Sequence, residues 1–249
     1  KMAAHIDQVL ALFPFEPPYM EAAGMRCDFV GHPVVTDQLA TAQEVAGWQG
    51  EGPLVMCLPG SRRGEVSRLM GRFGVAAGLV AQAHPNARFV LPTTANVTDL
   101  VAGLVQTWPV DVQVLPADAK SRKRGLFAAA DVALAASGTV SLELAANDTP
   151  MVVAYDMAWL SRIIISRLLL VDTVTLVNLV SETRVVPEFI GKACQPAPIA
   201  AAVLDVLRDP SLQRDAMAVT MARLGRDGQA PGLRAAMAVL DGVATARSK

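Results

Sequence analysis

The sequence predicts an α/β fold built on a Rossmann-like, doubly wound parallel sheet. Short apolar strands alternate with helical stretches between residues 54 and 155, a spacing typical of βαβ units. The strands are continuous apolar runs, as expected when helices cover both faces of a sheet. At 249 residues and 52% hydrophobic, the chain can form one large domain or one and a half smaller ones.

The alternation predicts strands at 54–58, 87–91, 110–115, 132–135 and 151–155, and helices at 65–82, 97–108, 119–129 and 140–146. Upstream of it, strands at 7–13 and 27–30 flank a helix at 16–23, and a short helix follows at 41–48. Downstream, we expect an amphipathic helix at 158–170, an extended segment at 174–180, and helices at 198–208, 211–224 and 232–246.

These elements divide the chain into four parts. Residues 1–33 are a β-α-β unit, and residues 34–52 are a linker. The sheet with its helices spans 53–209, and 210–249 are carboxyl-terminal helices. Because the first strand begins almost at once, in what looks like the middle of a fold, we interpret the chain as a fragment that lacks an upstream part.

Composition gives no support for a nucleic-acid-binding, disulfide-rich or membrane-spanning protein. A formal net charge of −1 gives no reason to expect a nucleic-acid partner. The three cysteines are far apart and match neither a metal-ligand spacing nor a disulfide framework, so a reducing cytoplasm is expected. Cys57 lies within an apolar strand and is predicted to be core. The apolar run 159–171 is too short and too charged to span a bilayer.

The first candidate site is the stretch from Ala135 to Glu143. Ser137, Gly138 and Thr139 join a strand to a helix, where free backbone N–H groups can bind an anion. Glu143 lies one helical turn after Thr139 and can accept hydrogen bonds from ribose hydroxyls. Together they suit a nucleoside diphosphate, and the alternative is an ordinary capped helix.

A second candidate, Leu58-Pro-Gly-Ser-Arg62, also joins a strand to a helix. Gly60 lets the backbone approach a ligand, Ser61 can cap the helix, and Arg62 can bind two oxygens of a diphosphate. The alternative for Arg62 is a surface arginine beside a helix cap. Neither a Walker loop nor a G-x-G-x-x-G fingerprint is present.

Two further stretches carry weaker signals. Asn178 needs hydrogen-bond partners if it is buried, and those partners can be a loop backbone or a ligand. Arg184 and Glu188 can pair with each other. The basic run 120–124 is predicted to be a solvated helix face, with a phosphate or anionic-lipid contact as the alternative.

The motifs together resemble the lipid-A-disaccharide synthase family, which belongs to glycosyltransferase family 19 and has the GT-B fold. The resemblance covers nearly the whole chain, in order, and its segments are Leu12-Phe-Pro-Phe-Glu16, Phe29-Val-Gly-His-Pro33, Leu58-Pro-Gly-Ser-Arg62, Ala136-Ser-Gly-Thr139 with Leu142-Glu143, Pro150-Met-Val-Val153, Asn178-Leu with Val186-Pro-Glu188, and Cys194-Gln-Pro196. It implies two Rossmann-like domains with the active site between them. Residues 1–33 would then be the end of the first, acceptor domain, and the last helix would cross back to it.

The resemblance also implies the reaction and its residues. The family joins UDP-2,3-diacylglucosamine to 2,3-diacylglucosamine 1-phosphate through a β-1,6 linkage, with inversion and release of UDP, and uses no metal or other cofactor. Gly60, Ser61 and Arg62 would face the diphosphate with Ser137, Gly138 and Thr139, Glu143 would bind the ribose, and Arg62 and Asn178 would serve catalysis. The protein would be cytoplasmic and peripheral on the inner face of the bacterial inner membrane.

The chain departs from the family pattern in three respects. Most of the acceptor domain is absent, and with it the expected general base, so we expect UDP binding but little activity from this chain alone. Asp156 stands where a basic residue is usual, and Leu-Val-Asn at 176–178 replaces Leu-Pro-Asn. If the last helix crosses back to the missing domain, its apolar face of Leu233, Met237 and Leu240 lacks a partner here, and an isolated fragment can associate with itself. A homodimer is the expected protein partner.

Two alternatives to this function stay open. One is another GT-B protein that uses a UDP-amino sugar, such as the lipid II-forming transferase or a UDP-sugar epimerase. The other is a UDP-binding module with no catalysis of its own.

Overall fold

The computed structural model describes residues 2–156 and 172–247 of the chain. Its main sheet contains six parallel strands, β3 to β8, and a separate pair, β1 and β2, is also parallel. The strands are β1 (Gln8–Ala11), β2 (Arg26–Phe29), β3 (Leu54–Leu58), β4 (Arg88–Pro92), β5 (Val112–Leu115), β6 (Val132–Ala135), β7 (Met151–Tyr155) and β8 (Glu188–Ile190). The predicted Rossmann-like parallel sheet is confirmed.

Helices connect these strands along the chain. They are α1 (Pro17–Ala22), α2 (Ala42–Ala46), α3 (Arg63–Ala83), α4 (Thr98–Val105), α5 (Lys120–Ala129), α6 (Val140–Ala146), α7 (Leu176–Ser181), α8 (Pro196–Arg208), α9 (Ser211–Arg223) and α10 (Pro231–Arg247). No helix among the described residues is long and apolar enough to cross a membrane.

Alternate residues of the central strands face opposite cores. Met56 on β3 packs in one hydrophobic cluster with residues of α5, α6, α7 and α9. Its neighbours Val55 and Cys57 pack in a second cluster with residues of α3, α4 and α8. Cys57 is fully buried, as predicted, and burial raises the pKa of its thiol to about 12. Helices therefore cover both faces of the sheet, which explains the continuous apolar strands.

The strand order is β5-β4-β3-β6-β7-β8. Strands β4 and β5 follow one another on one side of β3, and β6 then pairs with the other side of β3. The order therefore reverses between β3 and β6, and the loops that follow these two strands diverge at their carboxyl ends. Such a switch point leaves a crevice in which doubly wound sheets bind ligands.

The last helix packs against the amino-terminal strand pair. The side-chain amide of Gln8 on β1 donates to the Ala238 carbonyl at 2.9 Å, and Arg26 on β2 pairs with Asp241 at 2.6 Å. Arg234 donates to the Phe29 carbonyl at 2.7 Å and its guanidinium stacks over the Phe29 ring. These contacts join residues more than 200 positions apart in the sequence.

The stretch 34–52 packs closely against α5. Thr41 and Glu44 form a capping box at the start of α2. The Glu44 carboxylate binds Arg124, and the Trp48 indole donates to the Arg122 carbonyl at 3.0 Å. Gly125 allows this contact, because a Cβ there would lie 2.3 Å from the Glu44 carbonyl oxygen.

Two local predictions were wrong. The stretch 174–180, expected to be extended, contains α7, and the three-residue strand β8 was not predicted. Both elements are too short for a periodic pattern, and pairing with β7 creates β8. The helix predicted at 158–170 lies outside the described residues.

The packing of α2 on α5 predicts opposite effects for two glycine substitutions inside helices. Gly125→Ala should destabilise the fold by about 1–3 kcal/mol, because the methyl group pushes α2 off α5. Gly71→Ala on α3 should stabilise it by about 0.5–1 kcal/mol, because the site is exposed and open. Urea denaturation monitored by circular dichroism measures both. Equal stabilisation by the two substitutions would contradict the α2–α5 contact.

Candidate functional site

A cavity of about 400 Å³ opens at the switch point, between the loops that follow β3 and β6. Strand pairing brings these loops together, because Leu58 lies beside Ala135 and its carbonyl accepts from the Ala136 N–H at 2.8 Å. Every residue predicted to bind UDP lines this cavity, namely Gly60, Ser61, Arg62, Ser137, Gly138, Thr139 and Glu143.

The conformation of the loop after β3 depends on Gly60 and on Asn96 from the loop after β4. Gly60 has φ +107°, and a Cβ there would lie 2.6 Å from a carboxylate oxygen of Glu65. Asn96, which lies within the turn after β4, donates to the Ser61 carbonyl at 2.6 Å. The Ser61 carbonyl is therefore turned towards the β4 loop.

The structure corrects the predicted helix cap in this loop. Arg62, and not Ser61, is the residue that caps α3, and the Glu65 carboxylate accepts from its backbone N–H at 3.3 Å. The Arg62 guanidinium also pairs with Glu65 at 2.9 Å, while 82% of its side chain stays exposed. Glu65 thus holds Arg62 at the rim of the cavity, and the guanidinium retains donors that can reach an anion.

The loop after β6 presents backbone donors. Gly138 has φ +151°, and nothing lies within 4 Å of the position that a Cβ would take. Among the described residues, no protein group accepts from the N–H of Gly138 or Thr139. The Ser141 hydroxyl instead donates to the Gly138 carbonyl at 2.9 Å, which fixes the loop. Unpaired N–H groups beside Arg62 suit a bound anion.

Glu143 lies half-buried in the cavity wall, on the first turn of α6. Burial raises the pKa of its carboxyl above the usual value, and the charge of Asp37 raises it further. The ammonium group of Lys123 acts in the opposite direction and lowers the pKa. The carboxylate can accept hydrogen bonds from a neutral polyol that enters this end of the cavity.

Several lining residues escaped the sequence analysis. Thr93 and Thr94 follow β4 directly and line the cavity. Their position just after a predicted strand is the sequence signal that could have identified them. Lys123 and Phe127 stand one turn apart on α5, so they share a helix face, and the ammonium group lies 5.2 Å from the ring centroid.

The basic run 120–124 is therefore not uniformly solvated. Arg124 pairs with Glu44, and Arg122 stacks over Trp48 at 5.0 Å. Lys123 lines the cavity, whereas Lys120 is exposed.

Asn178 is not brought to this cavity. It is on α7, only 1% exposed, and its side-chain amide bonds to the backbone of Val186. Arg184 and Glu188, considered a pair from the sequence, have different partners: Arg184 binds Asp172, and Glu188 binds the segment 173–175. Asp156 lies at the end of β7, where it pairs with Arg72 at 3.0 Å.

The cavity thus has two chemically distinct ends. One end is formed by backbone N–H groups and Arg62, which can bind an anion. The other end is formed by Glu143, with Lys123 and Phe127 of α5 completing the wall. An anionic group joined to a hydroxyl-bearing ring matches this distribution of charge.

Comparison with known proteins places the chain in a family. The lipid-A-disaccharide synthetase family model matches residues 1–232. Lipid-A-disaccharide synthase from Ruegeria pomeroyi is 58% identical over 97% of this chain, and the chain spans 63% of that relative's length.

Two solved structures share the fold at 14% identity. They are UDP-GlcNAc 2-epimerase from Neisseria meningitidis bound to UDP-GlcNAc (TM-score 0.61, 93% of this chain, 60% of that one) and the carboxyl-terminal domain of a glycosyl transferase group 1 family protein from Francisella tularensis (TM-score 0.50, 76% and 95%). The family model and the 58% identity carry the assignment, and the chain belongs to the lipid-A-disaccharide synthase family of glycosyltransferases.

Proposed function

We propose that this chain carries the UDP-sugar donor half of a lipid-A-disaccharide synthase. The whole enzyme would condense UDP-2,3-diacylglucosamine with 2,3-diacylglucosamine 1-phosphate, form a β-1,6 linkage with inversion and release UDP. The observation that supports this most is the cavity at the β3/β6 switch point, where both predicted loops and Glu143 line one volume.

In the proposed complex, the diphosphate lies between the two loops. It accepts hydrogen bonds from the N–H groups of Gly138 and Thr139 and from the guanidinium of Arg62. The ribose hydroxyls donate to Glu143. As the acceptor 6-hydroxyl attacks C1 of the donor sugar, the bond from C1 to the diphosphate breaks and negative charge builds on the leaving UDP. The same donors stabilise that charge without a metal ion.

The remaining groups of the reaction are proposed to come from the part of the enzyme that lies outside this chain. A carboxylate there would accept the proton of the acceptor hydroxyl, so this chain alone would bind UDP with little turnover. Because both substrates carry acyl chains, the proposal includes peripheral contact with the cytoplasmic face of the inner membrane. A homodimer through Leu233, Met237 and Leu240 of α10, which are 52%, 54% and 70% exposed, belongs to the same proposal.

The site assignment predicts that Glu143→Ala and Arg62→Ala each weaken UDP binding by about tenfold or more, because hydrogen bonds to charged groups contribute about 1.5–3 kcal/mol. Isothermal titration calorimetry of this chain with UDP measures the loss. Arg63→Ala is the matched control, since Arg63 is exposed next to Arg62 and does not line the cavity.

Unchanged affinity in both variants would refute the site. If UDP does not bind the wild-type chain while circular dichroism shows a folded protein, the donor-half proposal is refuted. Hydrolysis or epimerisation of UDP-GlcNAc without an acceptor would favour the epimerase alternative. If UDP binds but no disaccharide forms when an amino-terminal half is supplied, the chain is a binding module.

Glu143 also predicts a pH dependence. Ribose hydroxyls donate to the ionised carboxylate, so UDP affinity should fall as pH drops through the raised pKa of Glu143. Lys123→Met removes a cation that lowers this pKa, so the fall should begin at a higher pH than in the wild-type chain. Calorimetric titrations between about pH 4 and 8 measure the two profiles.

Two variants isolate this effect. Lys120→Met removes an exposed cation from the same helix and should leave the profile unchanged. Glu143→Gln keeps the titration of the UDP phosphate, which has a pKa of about 6, and removes that of the carboxyl. Coincident profiles for Lys123→Met and wild type would contradict the electrostatic link.

A further inference from the structure

Asn178 clamps one loop of the chain through a buried amide. Its Nδ2 donates to the Val186 carbonyl at 2.9 Å, and its Oδ1 accepts from the Val186 N–H at 3.0 Å. The side chain therefore pairs with the Val186 backbone as a neighbouring strand would, and it connects α7 to the segment that leads into β8. Both residues are almost fully buried, so water does not compete for these bonds.

Glu188 extends the clamp to the segment before α7. One oxygen accepts from the Thr175 N–H at 2.7 Å and from the Thr173 hydroxyl, and the other accepts from the Val174 N–H at 3.3 Å. The Asn178 amide lies 3.3 Å from both the Thr173 hydroxyl and the Glu188 carboxylate. Asn178 thus contacts both the Val186 backbone on one side and Thr173 with Glu188 on the other.

The clamp supports the wall of the cavity through shared core packing. α7 packs against α6, the helix that carries Glu143 and follows the Gly138 loop. Val177 beside Asn178 and Val186 in its clamp belong to one hydrophobic cluster, against which Val140 packs. Val140 lines the cavity immediately after the Gly138–Thr139 donors.

We propose that Asn178 is a positioning residue for the UDP site, which acts by locking α7 to Val186 and so holding α6 and its loop in place. The inference rests on the proposed function and changes the role expected for Asn178, since its amide contacts backbone and Glu188 within the protein and does not line the cavity.

The chain contains a matched control in a second amide clamp. Gln213 on α9, 3% exposed, accepts from the Met151 N–H at 2.8 Å and donates to the Met151 carbonyl at 2.9 Å. Met151 begins β7 and lies at the amino end of the sheet, opposite the cavity. Both clamps pair one buried side-chain amide with the N–H and the carbonyl of a single residue, and the Gln213 clamp holds the amino end of β7, opposite the cavity.

The test compares Asn178→Asp with Gln213→Glu. Each substitution keeps the shape of the side chain and replaces a donor by a carboxylate oxygen, so both should lower the melting temperature. Asn178→Asp should also weaken UDP binding of the folded chain by about tenfold and speed hydrogen exchange at the Val186 amide, whereas Gln213→Glu should leave the UDP affinity within about twofold of wild type.

A second variant keeps the test informative if Asn178→Asp folds poorly. Its new carboxylate faces Glu188, and Asn178→Asp with Glu188→Gln removes one of the two facing negative charges, so the double variant should recover part of the melting temperature and of the UDP affinity.

Three results would overturn the inference. Equal UDP affinity for wild type and Asn178→Asp removes the positioning role, and an equal loss in Gln213→Glu makes the clamp a general stability element. Loss of affinity with unchanged Val186 exchange and unchanged melting temperature means that Asn178 contacts the ligand directly. Absence of UDP binding by the folded wild-type chain instead refutes the proposed function.

Discussion

The parallel pairing of β3 with β6 is the contact on which the candidate site depends. The Leu58 carbonyl accepts from the Ala136 N–H, and the last residues of the two strands, Leu58 and Ala135, lie side by side. The loops that follow Leu58 and Ala135, which are 77 positions apart in the sequence, then leave the sheet side by side. Because β4 and β7 lie on the outer sides of this pair, no further strand of residues 2–156 and 172–247 covers the space between the loops. The cavity follows from strand order more than from any single side chain.

Hydrogen bonds and an ion pair with neighbouring residues position the polar groups that line the cavity. Glu65 restrains Arg62, Asn96 turns the Ser61 carbonyl away, and Ser141 fixes the Gly138 carbonyl. Each of these bonds occupies an acceptor or limits a side chain, and no described protein group accepts from the N–H groups of Gly138 and Thr139. Glu143 adds a carboxylate to the cavity wall, and the ammonium of Lys123 opposes the effect of burial on its pKa.

Two amide clamps connect helices to strands β7 and β8 or to the segment that leads into them. Asn178 and Gln213 each use one side-chain amide to satisfy both the N–H and the carbonyl of a buried residue. Such a pair fixes both distance and orientation, since a shift of either partner leaves a buried polar group unpaired. In this fold they tie α7 to the approach of β8 and α9 to the start of β7. Amide clamps therefore give short elements a defined position that hydrophobic packing alone would leave loose.

The sequence by itself determined the sheet, its long helices and the two loops that line the cavity, because continuous apolar strands, amphipathic periods and Gly-Ser or Ser-Gly junctions are local signals. Gly60, Arg62, Gly138 and Glu143, which line the cavity, were singled out in this way. The tertiary structure decided which distant groups join them. Lys123 belonged to a basic run in the sequence, and only the packing of α5 beside α6 brings it to the cavity. The short stretch with Asn178 is a helix whose buried amide binds the backbone of Val186. Those outcomes depend on contacts between residues far apart in the chain, which no local pattern encodes.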